Sequence, residues 1–249
     1  MSQQKAPPNH SLQGQFWLPL LALFALTVVT QMSNVIYQKV MNQQSFADTL
    51  VPGMIFLSVL TLPALLIGLK LGRNMGMGLI NQRVLQEGGA AAGLRFAVAV
   101  AIPLGLSLLA LRWLLVDYLP PELPAYGFRG PVGGLLVSVG AAVGEEIWFR
   151  FGLMTLLLFI TVKVRKSVLA THTIPMMIIL LVGLGFGLAH LPSVVAYGAH
   201  SGFAVWATIA GNTAVAVLYG WCYWRYGLLS AITAHFSVDV VLHVLPALV

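Results

Sequence analysis

Apolar residues run along this chain in long blocks, without the short alternation of a half-buried surface element. A helix crossing a ~30 Å hydrocarbon core needs about 20 mostly apolar residues. Candidate spans are Phe16–Met32, Gly53–Leu69, Leu94–Val116, Pro131–Val162, Ile174–His190, Phe203–Tyr223 and Leu228–Leu245. Pro131–Val162 is longer than one crossing requires. It predicts either one tilted helix or a span plus a shorter piece after a break near Arg150–Gly152. The pattern predicts an all-α, polytopic transmembrane bundle of seven or eight helices with no soluble domain.

Polar joints separate the blocks. Gln31–Asp48 is the longest, Lys70–Gly93 carries Lys70, Arg73 and Arg83 with Arg95 just beyond, and Lys163–Lys166 is the densest charge run. Cytoplasmic loops carry the excess of Lys and Arg, so both basic joints and the N-terminus are expected inside. The Pro-rich, acidic segment Asp117–Gly130 is then expected outside. Met1–Gln15 is polar with only Lys5 charged, and no small-residue cleavage site follows Phe16–Met32, so that block reads as a first membrane helix rather than a signal peptide. Gly88, Gly89 and Gly93, and Gly183, Gly185 and Gly187, are spaced for close helix contact. Met75–Gly78 reads as a flexible loop.

Composition removes the soluble alternatives. Only 8% of the residues are charged and 59% are hydrophobic, with a mean hydropathy of +0.89. A soluble domain carries about 25% charged residues, and a disordered chain lacks this apolar content. The net charge of +6 reflects loops that fix orientation, since no nucleic-acid-binding pattern accompanies it. The single cysteine, Cys222, rules out an internal disulfide and a Cys-rich metal site; it reads as a small packing residue.

The acids carry the chemical information. Asp48, Glu87, Asp117 and Glu122 fall in joints, whereas Glu145, Glu146 and Asp239 lie inside apolar runs. An ionised side chain at mid-membrane costs roughly 2.5–3.5 kcal/mol, so the three together would cost about 8–10 kcal/mol, comparable to a domain's whole stability. Glu145 and Glu146 are neighbours and point about 100° apart on a helix. Glu146 and Arg150 stand at i, i+4 in the favourable order for an ion pair. The economical reading pairs Glu146 with Arg150 and leaves Glu145 facing the bundle cavity. His190 ends an apolar run with Phe186 one turn earlier, and His235, Asp239 and His243 form one stripe at i, i+4, i+8. His10, His172 and His200 lie in joints and read as solvated, and Asn212 reads as a cross-helix hydrogen-bonding residue.

These residues resemble a known family. Glu145-Glu146-Ile147-Trp148-Phe149-Arg150 resembles the EExx(F)R motif of the CPBP intramembrane proteases, also called the ABI family. Phe186-Gly187-Leu188-Ala189-His190 resembles their FxxxH motif, and the run from Arg225 to His235 followed by Asp239 resembles their last motif, HxxxN or HxxxD. The resemblance covers about residues 131–245. It divides the chain into N-terminal membrane helices without a recognised motif (1–130) and a catalytic helical core (131–249). It implies a metal-free, glutamate-dependent endopeptidase buried in the bilayer and related to the type II CAAX prenyl endopeptidases. By position, Glu145 would be the general base and would activate a water together with His190. His235 and Asp239 would stabilise the oxyanion, with Glu146, Arg150 and Phe186 in support. No cofactor is implied.

The prenyl endopeptidases have Asn where this chain has Asp239. An ionised Asp accepts hydrogen bonds and cannot donate one to an oxyanion. Either Asp239 is protonated, or it orients His235 and pairs with its charged form; the second is the expectation. Three other readings compete: a zinc site built on Glu145, His190 and His235, a transporter with a proton-relay carboxylate, and a scaffold or immunity protein that keeps the fold without cutting. The substrate is expected to be a peptide or protein, membrane-anchored in some cases, in a bacterial inner membrane. Depth arithmetic leaves one strain. At ~1.5 Å per residue, Glu145 lies about 21 Å from Pro131 and His235 about 10 Å from Leu228, which matches if those ends lie on opposite faces. His190, about 24 Å from Ile174, would miss them by roughly 15 Å. This predicts a later start for its helix or a break near Arg150.

Overall fold

Every apolar block becomes helix in the computed structural model, which describes residues 10–87, 89–164 and 172–249. Among the described residues, seven helices are long and apolar enough to cross a membrane. They are α1 (Phe16–Met41), α2 (Ala47–Met75), α3 (Ala90–Leu114), α4 (Gly130–Val164), α5 (Thr173–Ala196), α6 (Gly202–Tyr226) and α7 (Leu228–Ala247). The molecule is an all-α, multi-pass integral membrane protein. Met1–Asn9, Gly88, Arg165 and Lys166 lie outside the described residues.

The helices outrun the apolar blocks that predict them. Gln31–Asp48 reads as a joint, yet α1 continues to Met41. Its polar tail is useful inside the bundle: Gln31 Nε2 donates to the Gly140 carbonyl at 2.8 Å, and Tyr37 and Gln38 lie against Gly133. Met75–Gly78 forms a turn at the end of α2. Gly76 adopts φ +71°, its amide donates to the Arg73 carbonyl, and Met77 is buried. Asn212 donates to the Thr208 carbonyl of its own helix at 2.9 Å rather than across to another.

The depth strain resolves without a break. α4 is one continuous helix that changes from α to π geometry over Glu146–Met154, and α5 begins at Thr173, one residue before the block predicts. At ~1.5 Å per residue, α4 is about 50 Å long, far more than a ~30 Å core, so its end near Val164 extends past the apolar slab. The mismatch of roughly 15 Å arises only if the start of α5 lies at the membrane face. Counted instead from the connection joining α4 to α5, Glu145 and His190 both lie roughly 25–28 Å away along their helices.

Small residues let these helices approach. Gly187 sits so close to α6 that an added Cβ would lie 2.7 Å from the Ile209 carbonyl oxygen, and Gly183 faces Ala216 and Thr213. Gly185, between them, faces nothing within 4 Å. Without a hydrophobic drive between helices in lipid, this packing is what joins them. Gly187→Ala should therefore lower the melting temperature in detergent, at a cost of about 1–3 kcal/mol for overpacking. Gly185→Ala should leave it unchanged or slightly raised. Equal effects of the two would refute this account of the α5–α6 contact.

Candidate active site

Three helices deliver the intramembrane acids and two histidines to one place. α4 turns from α to π geometry directly after Glu145, and α7 makes the same change directly after Asp239. π-turns inside α-helices are rare and recur at functional sites. On α4 the wider turn is fixed by neighbours: Thr155 Oγ1 donates to the Arg150 carbonyl at 3.2 Å and lies 2.6 Å from the Tyr223 hydroxyl.

The adjacent glutamates have different surroundings. Glu146 is fully buried, and its Oε1 accepts from Arg150 Nη1 at 2.9 Å and from His235 Nδ1 at 2.8 Å. Arg150, also fully buried, donates from Nη2 to the Ala216 carbonyl at 3.1 Å. Its guanidinium carbon lies 4.7 Å from the Phe186 ring centre and 5.2 Å from that of Tyr219. A buried cation is thus held by a carboxylate, a carbonyl and two aromatic faces.

Glu145 keeps 22% of its side chain exposed and lines a cavity of about 840 Å³. Its Oε2 lies 3.9 Å from Nε2 of His190 and 3.9 Å from Nε2 of His235, with no hydrogen-bond partner among the described residues. His190 donates from Nδ1 to the Phe186 carbonyl at 2.8 Å, the bond that fits a neutral ring presenting its Nε2 lone pair towards Glu145. His235 donates from Nδ1 to Glu146 and directs Nε2 towards Asp239 Oδ2 at 3.6 Å. Phe186, 1% exposed, packs its ring against both imidazoles, with centroids 4.6 Å from His190 and 5.9 Å from His235.

The structure therefore brings together Glu145, Glu146, Arg150, Phe186, His190, His235 and Asp239. His243 lines the same cavity, its ring 6.0 Å from Tyr126, while His172 and His200 are exposed elsewhere. Among the described residues, no group of three or more His, Cys, Asp or Glu side chains is arranged to hold a metal ion.

Sequence reasoning misses two features. Tyr219 stacks on His235 with centroids 4.4 Å apart and planes 12° from parallel; its only sequence signal is a tyrosine in mid-span. Tyr126 and Arg129, in the acidic joint, line the cavity with Arg112 of α3. Arg112 lies over the Tyr126 ring at 4.5 Å and donates to the Pro124 carbonyl at 2.7 Å. Burial pushes the Tyr126 hydroxyl above its ordinary pKa and the Arg129 guanidinium below its own.

Breaking a buried pair by removing one partner typically costs 3–5 kcal/mol. Glu146→Gln or Arg150→Met alone should lower the melting temperature strongly, and Glu146→Leu combined with Arg150→Met should recover part of the loss. A double variant as unstable as the sum of the singles would show that the pair does not act as one unit.

Residues 128–241 match the model of the type II CAAX prenyl endopeptidase Rce1-like family. No curated protein and no solved structure matches the chain. The matched stretch contains every acid and histidine assembled around Glu145, and it agrees with the resemblance carried by the three motifs. The segment holding the candidate site is thus similar to the type II CAAX prenyl endopeptidase Rce1-like family.

Proposed function

We propose that the protein is an intramembrane endopeptidase that hydrolyses peptide bonds with a water held between Glu145 and His190. The observation that carries this reading is the convergence of the Glu145 carboxylate on two imidazole Nε2 atoms from two other helices, 3.9 Å from each, on the wall of a large cavity. One carboxylate and two imidazoles at that separation suit a single shared water.

The chemistry follows from the fixed hydrogen bonds. With His190 Nδ1 committed to the Phe186 carbonyl, its Nε2 accepts one proton of the water while Glu145 accepts the other. As the water oxygen attacks the scissile carbonyl carbon, Glu145 takes its proton and the carbonyl electron pair moves onto oxygen. His235, protonated on both nitrogens, donates from Nε2 to that oxyanion, its other N–H being held by Glu146. Collapse of the tetrahedral intermediate breaks the C–N bond, and the departing nitrogen takes the proton back from Glu145. Asp239 balances the charge of His235 from 3.6 Å. Glu146, Arg150, Tyr219 and Phe186 act through His235 and His190 as positioning residues. The substrate would be a peptide or a membrane-anchored protein, as in leader removal or peptide maturation in a bacterial inner membrane.

A positioned general base contributes about 10²–10⁴-fold. Membranes from cells expressing wild type or Glu145→Gln at equal levels should differ in peptide ends, which terminal proteomics reads directly. New ends found only with wild type are expected; identical ends, with both proteins folded and abundant, would overturn the protease reading. Asp239→Asn should lower the rate of the same cleavages by about tenfold or more, on the scale of losing a charge-assisted contact of 1.5–3 kcal/mol. Near-full activity would show that the charge of Asp239 is not used.

A further inference from the structure

The two ends of the bundle differ in charge and in access. At one end, the Leu228 and Leu229 amides donate to the Gly78 and Leu79 carbonyls at 3.0 Å each, and Asn81 Nδ2 donates to the Tyr223 and Trp224 carbonyls. His172 lies there too, its ring 5.2 Å from Trp224. The connections α2–α3 and α6–α7, the C-terminal end of α4 and the start of α5 therefore share this end, which carries Lys70, Arg73, Arg83, Arg95, Lys163 and Arg225. At the other end, Tyr118 packs on Phe203, Phe128 packs on Tyr197, and Gly127 lies against the Ala247 backbone. Its cations are Lys39, Arg112 and Arg129. Short loops rich in Lys and Arg stay cytoplasmic, and Asp and Glu contribute little to that bias. The first end is the cytoplasmic one.

The cavity belongs to the second end. Its wall includes Leu119, Leu123 and Tyr126 of the α3–α4 connection, and it reaches the surface at Leu111, Phe203 and Trp206, which are exposed. Towards the cytoplasmic end the same helices close. Gly93 approaches Tyr226 so nearly that an added Cβ would lie 2.8 Å from it. Ser230 Oγ donates to the Gly93 carbonyl at 2.8 Å, and Ala97 and Ala101 are fully buried.

Resting on the protease reading above, we infer that Glu145 and its histidines are served from the extracytoplasmic face. The substrates are then polypeptide segments presented there, such as outer ends of membrane anchors or exported peptides, and not cytoplasmic chain termini.

Thiol labelling tests the orientation without using activity. Cys222 is fully buried, so Cys222→Ala gives a cysteine-free background. Ala125→Cys places a thiol on the exposed α3–α4 connection between cavity residues Leu123 and Tyr126, and Gln86→Cys places one at the basic end. A membrane-impermeant maleimide applied to intact bacterial cells should label Ala125→Cys to the extent reached after permeabilisation. It should label Gln86→Cys only after permeabilisation. The reverse pattern, or labelling of both in intact cells, overturns the inference; Pro121→Cys and Gln82→Cys replace any variant that fails to accumulate. The second arm uses the cleavages lost in Glu145→Gln. Bonds on extracytoplasmic segments are expected, whereas bonds confined to cytoplasmic segments would sink the inference and leave the protease reading standing.

Discussion

Glu146 Oε1 accepts two hydrogen bonds at once. Arg150 reaches it from within α4 and His235 from α7, so one carboxylate oxygen sets the rotation of α4 and ties it to the last helix. In a bundle where lipid offers nothing polar, that bond cannot be exchanged for water at low cost. The neighbouring geometry inherits its position from it. With its Nδ1 fixed by Glu146, the His235 ring must present Nε2 to Glu145 and Asp239, and Tyr219 stacked on its face leaves it little freedom to turn.

The fold accommodates this charge by geometry as well as by pairing. A regular α-helix would carry Glu145, Glu146 and Arg150 past their partners at a fixed pitch. The π stretch begins between the two glutamates, and a second one begins just after Asp239. Each widens the backbone at a point where a polar side chain must meet another helix. Glycines at 134, 144 and 152 on α4 make the matching concession on the other side, letting the His243 backbone, Gln31 and Ala64 approach closely. The site depends on backbone irregularity placed among small residues, a combination that costs helix propensity but permits contacts a straight helix of large residues could not make.

What could be read in advance follows from which forces are local. Membrane spans are legible because crossing lipid demands a run of apolar residues, and all seven blocks became helices. Their ends are not, because a helix stops where its hydrogen bonds and contacts stop: Tyr37 and Gln38 continue α1 past its apolar block because Gly133 leaves room for them. In the site, the i, i+4 relation of Glu146 and Arg150 is local and is readable as an ion pair. The bond from Glu146 to His235 joins residues 89 positions apart, and nothing in either segment announces it. Tyr219 is hidden for a similar reason, since an aromatic in an apolar run looks like any packing residue until its partner is known.

The division of labour between two adjacent glutamates is the last consequence of that central bond. Nothing in the sequence distinguishes Glu145 from Glu146 except the arginine four residues on. Burial then separates them. Glu146 is enclosed by Arg150 and His235, so its charge is already spent on fixed partners and is poorly placed to take a new proton from substrate or water. Glu145 lines the cavity, and its Oε2 has no hydrogen-bond partner among the described residues and lies between two imidazoles at equal distance. A proton acceptor has to be both ionisable and within reach of water and substrate, and of the two carboxylates Glu145 is the one that lines the cavity. The enclosed glutamate serves the one at the cavity, because its Oε1 holds His235 where Glu145 can face it.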